Sequence, residues 1–192
     1  MKKVIFFVLL AFMGNHAFSQ GFKHGIGTGF LISKPAAADA DGLVTLLYNP
    51  RYHFAVGPTS SVSLGVPMTF GFAGGFNWSD NGNSSSVALG VNIPLMFDYN
   101  IGAGALNGLH KKSGFFIGAG FGWHYMYHNY DYSYYDNYGL STSESGAGPA
   151  ANIGVRFHVG RRNHNIELRA FYMHTTINEQ FDAGGLNCSF NF

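Results

Sequence analysis

Leu186-Asn187-Cys188-Ser189-Phe190-Asn191-Phe192 ends the chain, with Leu186, Cys188, Phe190 and Phe192 alternating with Asn187, Ser189 and Asn191. A period of two marks a strand with unlike faces, because successive side chains of an extended backbone point in opposite directions. The two segments upstream obey the same rule. Ile166, Leu168, Ala170 and Tyr172 alternate with Glu167, Arg169, Phe171 and Met173, and Ile153, Val155, Phe157 and Val159 with Asn152, Gly154, Arg156 and His158. Three successive strands thus share an apolar face and a mixed face of charges, amides and glycine.

Alternation recurs back to Gln20, and no convincing helical period interrupts it. Read segment by segment, it predicts eight strands, at about 22–33, 43–56, 60–76, 87–103, 114–129, 147–160, 165–179 and 185–192. The connections alternate in character. Those at 34–42, 77–86, 130–146 and 180–184 are polar or acidic, whereas those near 57–59, 104–113 and 161–164 are short or basic, with Lys111-Lys112 and Arg161-Arg162. Pro50, Pro67 and Pro94 fall inside expected strands and each removes a ladder hydrogen bond, so bulges or displaced boundaries are expected there.

Composition says what surrounds these strands. Only 11% of the 192 residues are charged, against about 25% in an ordinary soluble domain. With 27 Gly, 19 Phe and 11 Tyr, the chain is neither a helical bundle nor a charged disordered tail. One cysteine excludes a disulfide framework and a cysteine zinc site. A formal net charge of +1 offers no basic stripe for nucleic acid. The apolar register, which includes Ile26, Phe30, Val44, Leu64, Leu89 and Ile117, holds no Asp, Glu, Lys or Arg. The opposite register holds Lys23, Arg51, Asp98, Arg156, Glu167 and Arg169, with His53, His124 and His158. An Arg or Lys facing lipid at mid-membrane costs about 2 to 4 kcal/mol, so this segregation fits a lipid-exposed exterior. Closure is then required, because an open sheet edge in lipid leaves backbone groups unpaired.

The N-terminus reads as an export signal: a basic start at Met1 to Lys3, an apolar run from Val4 to Met13, and Ala17-Phe18-Ser19 as a small-x-small cleavage site. Two regions are therefore expected, a signal peptide at 1–19 and a barrel domain at 20–192. The expected fold is all-β, an eight-stranded antiparallel up-and-down transmembrane β-barrel.

In these features the chain resembles the small eight-stranded outer-membrane barrels of Gram-negative bacteria, of the OmpX and OmpA transmembrane-domain type. The resemblance implies a monomer in the cell outer membrane, in contact with outer-membrane lipid and inserted by the barrel-assembly machinery. It also implies that Phe190 and Phe192, in an alternating last strand, form the assembly signal.

Eight strands enclose a space that side chains just fill. The inward register mixes long charged residues with Gly25, Gly27, Gly29, Gly65, Gly71, Gly118, Gly120 and Gly122, so a plugged lumen is expected. Charges in a dry space must pair, which predicts an interior network of Arg51, Asp98, Arg156, Glu167 and Arg169. The tight turn at 161–164 further predicts Arg156 near Glu167 or Arg169.

Candidates for chemistry are few, and no cofactor, metal site or catalytic residue is assigned. His124 and His128 lie about 13 Å apart along a strand, too far to share a metal ion. His174-Thr175-Thr176 with Glu179 or Asp182 supplies the residue types of a lipid-modifying hydrolase or acyltransferase at the outer rim, which is an alternative reading. A soluble periplasmic ligand-binding barrel is another. The tract from Tyr125 to Tyr138 is unusual. Trp123, Tyr125 and Tyr127 read as an aromatic girdle, while Tyr130, Tyr132, Tyr134, Tyr135 and Tyr138 read as a surface loop that could recognise an extracellular protein or glycan, because Tyr gives contact area at low entropic cost.

Overall fold

The computed structural model describes residues 21–35, 40–79, 82–106, 109, 111–133, 138–160 and 164–192. The expected signal peptide at 1–19 lies outside them, as do Tyr134, Tyr135, Arg161 and Arg162. Eight barrel strands run up and down: β1 (Gly21–Lys23 and Gly25–Pro35), β2 (Asp41–Tyr48 and Arg51–Ala55), β3 (Ser60–Gly65 and Met68–Ser79), β4 (Gly82–Gly102), β5 (Ser113–Ser133), β6 (Tyr138–Val159), β7 (His164–His174) and β8 (Phe181–Asn191). Each pairs antiparallel with its sequence neighbours, and β8 pairs with β1, so the sheet closes on itself.

The prolines interrupt the ladder without shifting it. Between β2 and β3 the register is the same on both sides of the break, from Val44 opposite Phe72 to Arg51 opposite Gly65, and Val66 N still donates to Pro50 O at 3.0 Å. Pro94 lies within β4, opposite Gly122 of β5. The constant register between β3 and β4, from Gly65 opposite Met96 to Thr69 opposite Asn92, brings Pro67 level with Pro94. Missing N–H donors thus leave gaps where bulges were expected.

Paired residues also give the stagger of the barrel. Starting at Lys23 and crossing strand by strand through Arg51, Gly65, Met96, Gly120, Ala150, Met173 and Ala183, the path returns to β1 at Ser33, ten residues beyond its start. Ten residues of rise over eight strand spacings correspond to a tilt of about 40°, within the usual range for barrels.

The two faces separate as the alternation predicts. Ile26, Phe30, Leu46, Leu89, Ile117 and Leu186 all point outward, and Leu186 is 67% exposed. Every charged residue expected inside is at most 4% exposed. The lumen is filled in two layers. Towards the outer end, Leu31, Leu43, Met96, Met126 and Met173 form an apolar plug. Towards the inner end, where β1 begins and β8 ends, polar and charged side chains take over.

Two features depart from the sequence expectation. The segments 77–86 and 130–146 were read as connections, yet the ladders run on through them, with Asn77 opposite Ser84, Ser84 opposite Tyr132, and Tyr132 opposite Tyr138. Above the apolar band a strand has water on both faces, so no apolar alternation marks it, although its backbone groups still pair. The inner connection after β4 also folds back beneath the barrel. Gly102 and Gly104 adopt positive φ there, and Ala103, Ala105 and Leu106 are buried.

Candidate functional site

The inner half of the lumen is organised around Glu167, which is 0% exposed. Its Oε2 accepts from Arg51 Nη1 at 2.6 Å and from Arg156 Nε at 2.7 Å, and its Oε1 accepts from Arg169 Nε at 3.1 Å. Arg156 stands directly opposite Glu167 in the β6–β7 ladder, as the tight turn predicts. Arg156 Nη1 also donates to Asn100 Oδ1 at 2.7 Å, and Asn191 Nδ2 donates to Asn165 Oδ1 at 2.8 Å. One carboxylate therefore links β2, β6 and β7, with β4 joined through Asn100.

Phe116 supplies the apolar counterpart. Its ring lies 4.3 Å from the Arg156 guanidinium carbon and 5.1 Å from that of Arg169, in reach of cation–π attraction. Gly154 makes this arrangement possible, since any Cβ there would collide with the Phe116 ring. Lys23 Nζ reaches down to Gly104 O at 3.0 Å, which fastens the inner turn under the cluster.

Asp98 corrects the expected network. It is buried, but it makes no ion pair among the described residues. The reason is local: Gly118, its partner on β5, has no side chain, and the Asp98 carboxylate occupies that space beside Asn152. The sequence carried no signal for the inner turn or for the Phe116–Gly154 fit, the latter set by the register of the β5–β6 ladder.

The outer half carries histidines in separate roles. His124 Nε2 hydrogen-bonds Ser33 Oγ at 2.9 Å, whereas His128 Nε2 lies 3.5 Å from Asp41 Oδ2. Among the described residues no group of three His, Cys, Asp or Glu could hold a metal ion.

At the outer rim, above the apolar band, His174 Nδ1 hydrogen-bonds Asp182 Oδ1 at 2.8 Å and the Tyr172 hydroxyl donates to the same oxygen at 2.5 Å. The Tyr172 hydroxyl first, and His174 second, hold the Asp182 carboxyl below its usual range. The hydroxyl a hydrolase would need is not assembled. Thr175 is buried, donating to Glu179 O at 2.6 Å and accepting from Phe181 N at 2.6 Å, and among the described residues no hydroxyl bonds the His174 ring.

The aromatic residues divide by height. Trp123 and Tyr125 stack on the outer face with centroids 5.9 Å apart, and Tyr127 follows in the same register. Tyr130, Tyr132 and Tyr138 lie in the backbone ladder of the raised β5–β6 hairpin. At the inner end, Phe192 stacks on His24 at 5.7 Å and on Phe190 at 6.3 Å. His24 and Phe192 also exchange both backbone hydrogen bonds, at 3.0 and 2.9 Å.

No family model matches the chain, and no curated protein does. Among solved structures, neisserial surface protein A is similar at 10% identity with a TM-score of 0.53, covering 90% of this chain and 97% of that one. Ail, the attachment invasion locus protein of Yersinia pestis, is similar at 13% identity with a TM-score of 0.49, covering 91% of this chain and 99% of that one. The likeness to neisserial surface protein A bears on the fold, which is the closed eight-stranded antiparallel barrel of the small outer-membrane proteins.

Proposed function

We propose that the protein is exported by residues 1–19 and serves in the outer membrane as a monomeric surface-interaction barrel, with an extracellular protein or glycan as its partner. The observation that carries this reading is the raised wall. β3 to β6 continue as paired hairpins to Ser79, Gly82, Ser133 and Tyr138, while β2 pairs with β3 only as far as Val44 opposite Phe72. Among the described residues, residues 73–79 of β3 are paired with β4 alone. Unpaired N–H and C=O groups along an edge can take up an added strand, and the Tyr, Ser and Asn content of these hairpins suits adaptable recognition.

A conducting role fits less well, because an apolar plug and an ion-paired cluster fill the lumen in series. The soluble reading fits poorly too, since the outward face of all eight strands is apolar and water would surround it.

The test is adhesion of cells displaying the barrel to immobilised matrix proteins and glycans. Replacing residues 130–138 with a two-residue Asn-Gly turn should preserve barrel folding and abolish adhesion. Undiminished adhesion would move recognition away from this hairpin.

A further inference from the structure

The lipid-facing wall is apolar throughout its band but uneven in relief. Across β6, β7, β8 and β1 two adjacent rows run obliquely, Val155–Leu168–Cys188–Thr28 and Ile153–Ala170–Leu186–Phe30. Their small members, Ala170, Cys188 and Thr28, lie lower than the large ones and leave a groove of about 620 Å³. Outward of the groove, Gly184 stands between Tyr172 and Ile32 across its two ladders, with the Tyr172 ring packed beside it. At the next outward level, His174, Asp182 and Lys34 form a row on β7, β8 and β1. All three are exposed.

We propose that the groove and the polar row above it form one binding site for a phosphorylated, acylated saccharide lipid of the outer leaflet. One acyl chain lies over Ala170 and Cys188, and the phosphate meets Lys34 and His174.

Position decides the tail, because the groove lies inside the apolar band, where acyl chains are the surrounding solvent. Chemistry decides the head. Lys34 and His174 offer cationic or donor groups to a phosphate, while the Asp182 carboxylate and the Tyr172 hydroxyl between them offer partners to sugar hydroxyls. A glycerophospholipid has the phosphate but leaves most of the second set idle. From Ala170 to His174 is about 13 Å along the strand, which one lipid spans from chain to head group. The site rests on the outer-membrane reading above, with the row at the end of the barrel away from the start of β1 and the end of β8.

Cys188 is the one cysteine of the chain and is exposed in the groove, so its rate of modification by N-ethylmaleimide reports occupancy. Folded barrel in mild detergent is mixed with lipid A, phosphatidylethanolamine or phosphatidylglycerol at equal mole fraction. Lipid A should slow the reaction about tenfold, the equivalent of one charge-assisted contact, and the two glycerophospholipids by less. The double variant Lys34→Ser, His174→Ala, with folding confirmed by its heat-modifiable migration on gels, should lose the protection. In native mass spectrometry the parent barrel should retain a single lipid A mass that the variant lacks. Equal protection by all three lipids, or undiminished protection of the variant, would overturn the proposal by reducing the groove to ordinary lipid contact. Failure of the outer-membrane reading would show differently, as barrel recovered from the periplasmic fraction, and would overturn both.

Discussion

Arg156 and Glu167 face each other across β6 and β7, and the Arg156 Nε donates to a Glu167 oxygen that also accepts from Arg51. Two guanidinia from different strands thus share a single buried carboxylate atom, with a third guanidinium on its other oxygen. Breaking a buried ion pair leaves an uncompensated charge, which costs about 3 to 5 kcal/mol. Glu167→Gln should destabilise the barrel by about that amount, measured by urea unfolding in detergent or vesicles. Asp98→Asn, at a carboxylate outside the network, should cost less. Equal losses would mean that Asp98 neutralises the cluster over a longer range.

Gly154 should be intolerant of any side chain, because a Cβ there would meet both the Phe116 ring and the Leu168 carbonyl oxygen. Gly154→Val forces Phe116 off the two guanidinia and should destabilise by about 1 to 3 kcal/mol, the usual range for overpacking. Adding Phe116→Ala should recover part of the loss, since the ring is then no longer in the way. A double variant less stable than the simple sum of the two single changes would place the strain elsewhere.

Charge on the outer face should be penalised by depth. Leu89→Arg, in the apolar band, should cost about 2 to 4 kcal/mol, whereas Ser141→Arg, above it in the outward register opposite Asn129, should cost about 0 to 1. Unfolding in vesicles of both variants measures the difference directly, and equal costs would contradict the assigned height of the band.

Reconstituted barrel should show no steady ion current in a planar bilayer. The apolar plug of Leu31, Leu43, Met126 and Met173 obstructs the same path as the cluster around Glu167, so Glu167→Gln should remain closed as well. Reproducible open steps in either protein would show that the layers separate.

The rim responds to acid with a defined sign. Tyr172 and His174 lower the Asp182 pKa, and a carboxyl lowered on folding stabilises the folded form above its unfolded pKa, near 3.9. That contribution is lost as pH falls through the folded value. Protection of the Phe181 amide, taken relative to the free-chain exchange rate at each pH, should therefore fall below about pH 4, and Asp182→Asn should remove the acid step.

The outward faces were legible in the sequence because lipid tolerates so little. A single Arg in the wrong register is expensive, so Leu64, Leu89 and Ile117 could be assigned from alternation alone. The interior was legible as a set of residues and not as a set of pairs. Arg156 with Glu167 followed from a tight turn, but Arg51 reaches the same carboxylate only through the ten-residue stagger, which no local pattern encodes. Asp98 was misplaced for a nearer reason, the empty volume at Gly118, its direct partner across the β4–β5 ladder. The raised hairpins were hidden because strands wet on both faces lose the contrast that marks a strand in sequence.

Closure by His24 and Phe192 has a consequence for the order of events in assembly. The seam joins the first barrel strand to the last, the pairing of greatest separation along the chain, and pairings of that kind are the slowest to form. It cannot form until Phe192 itself has been made, so the apolar faces of β1 and β8 stay unpaired along that seam until then. Protection by escort proteins over that interval is then as much a requirement of this architecture as lipid is, and loss of Phe192 would remove both seam hydrogen bonds of His24 at once.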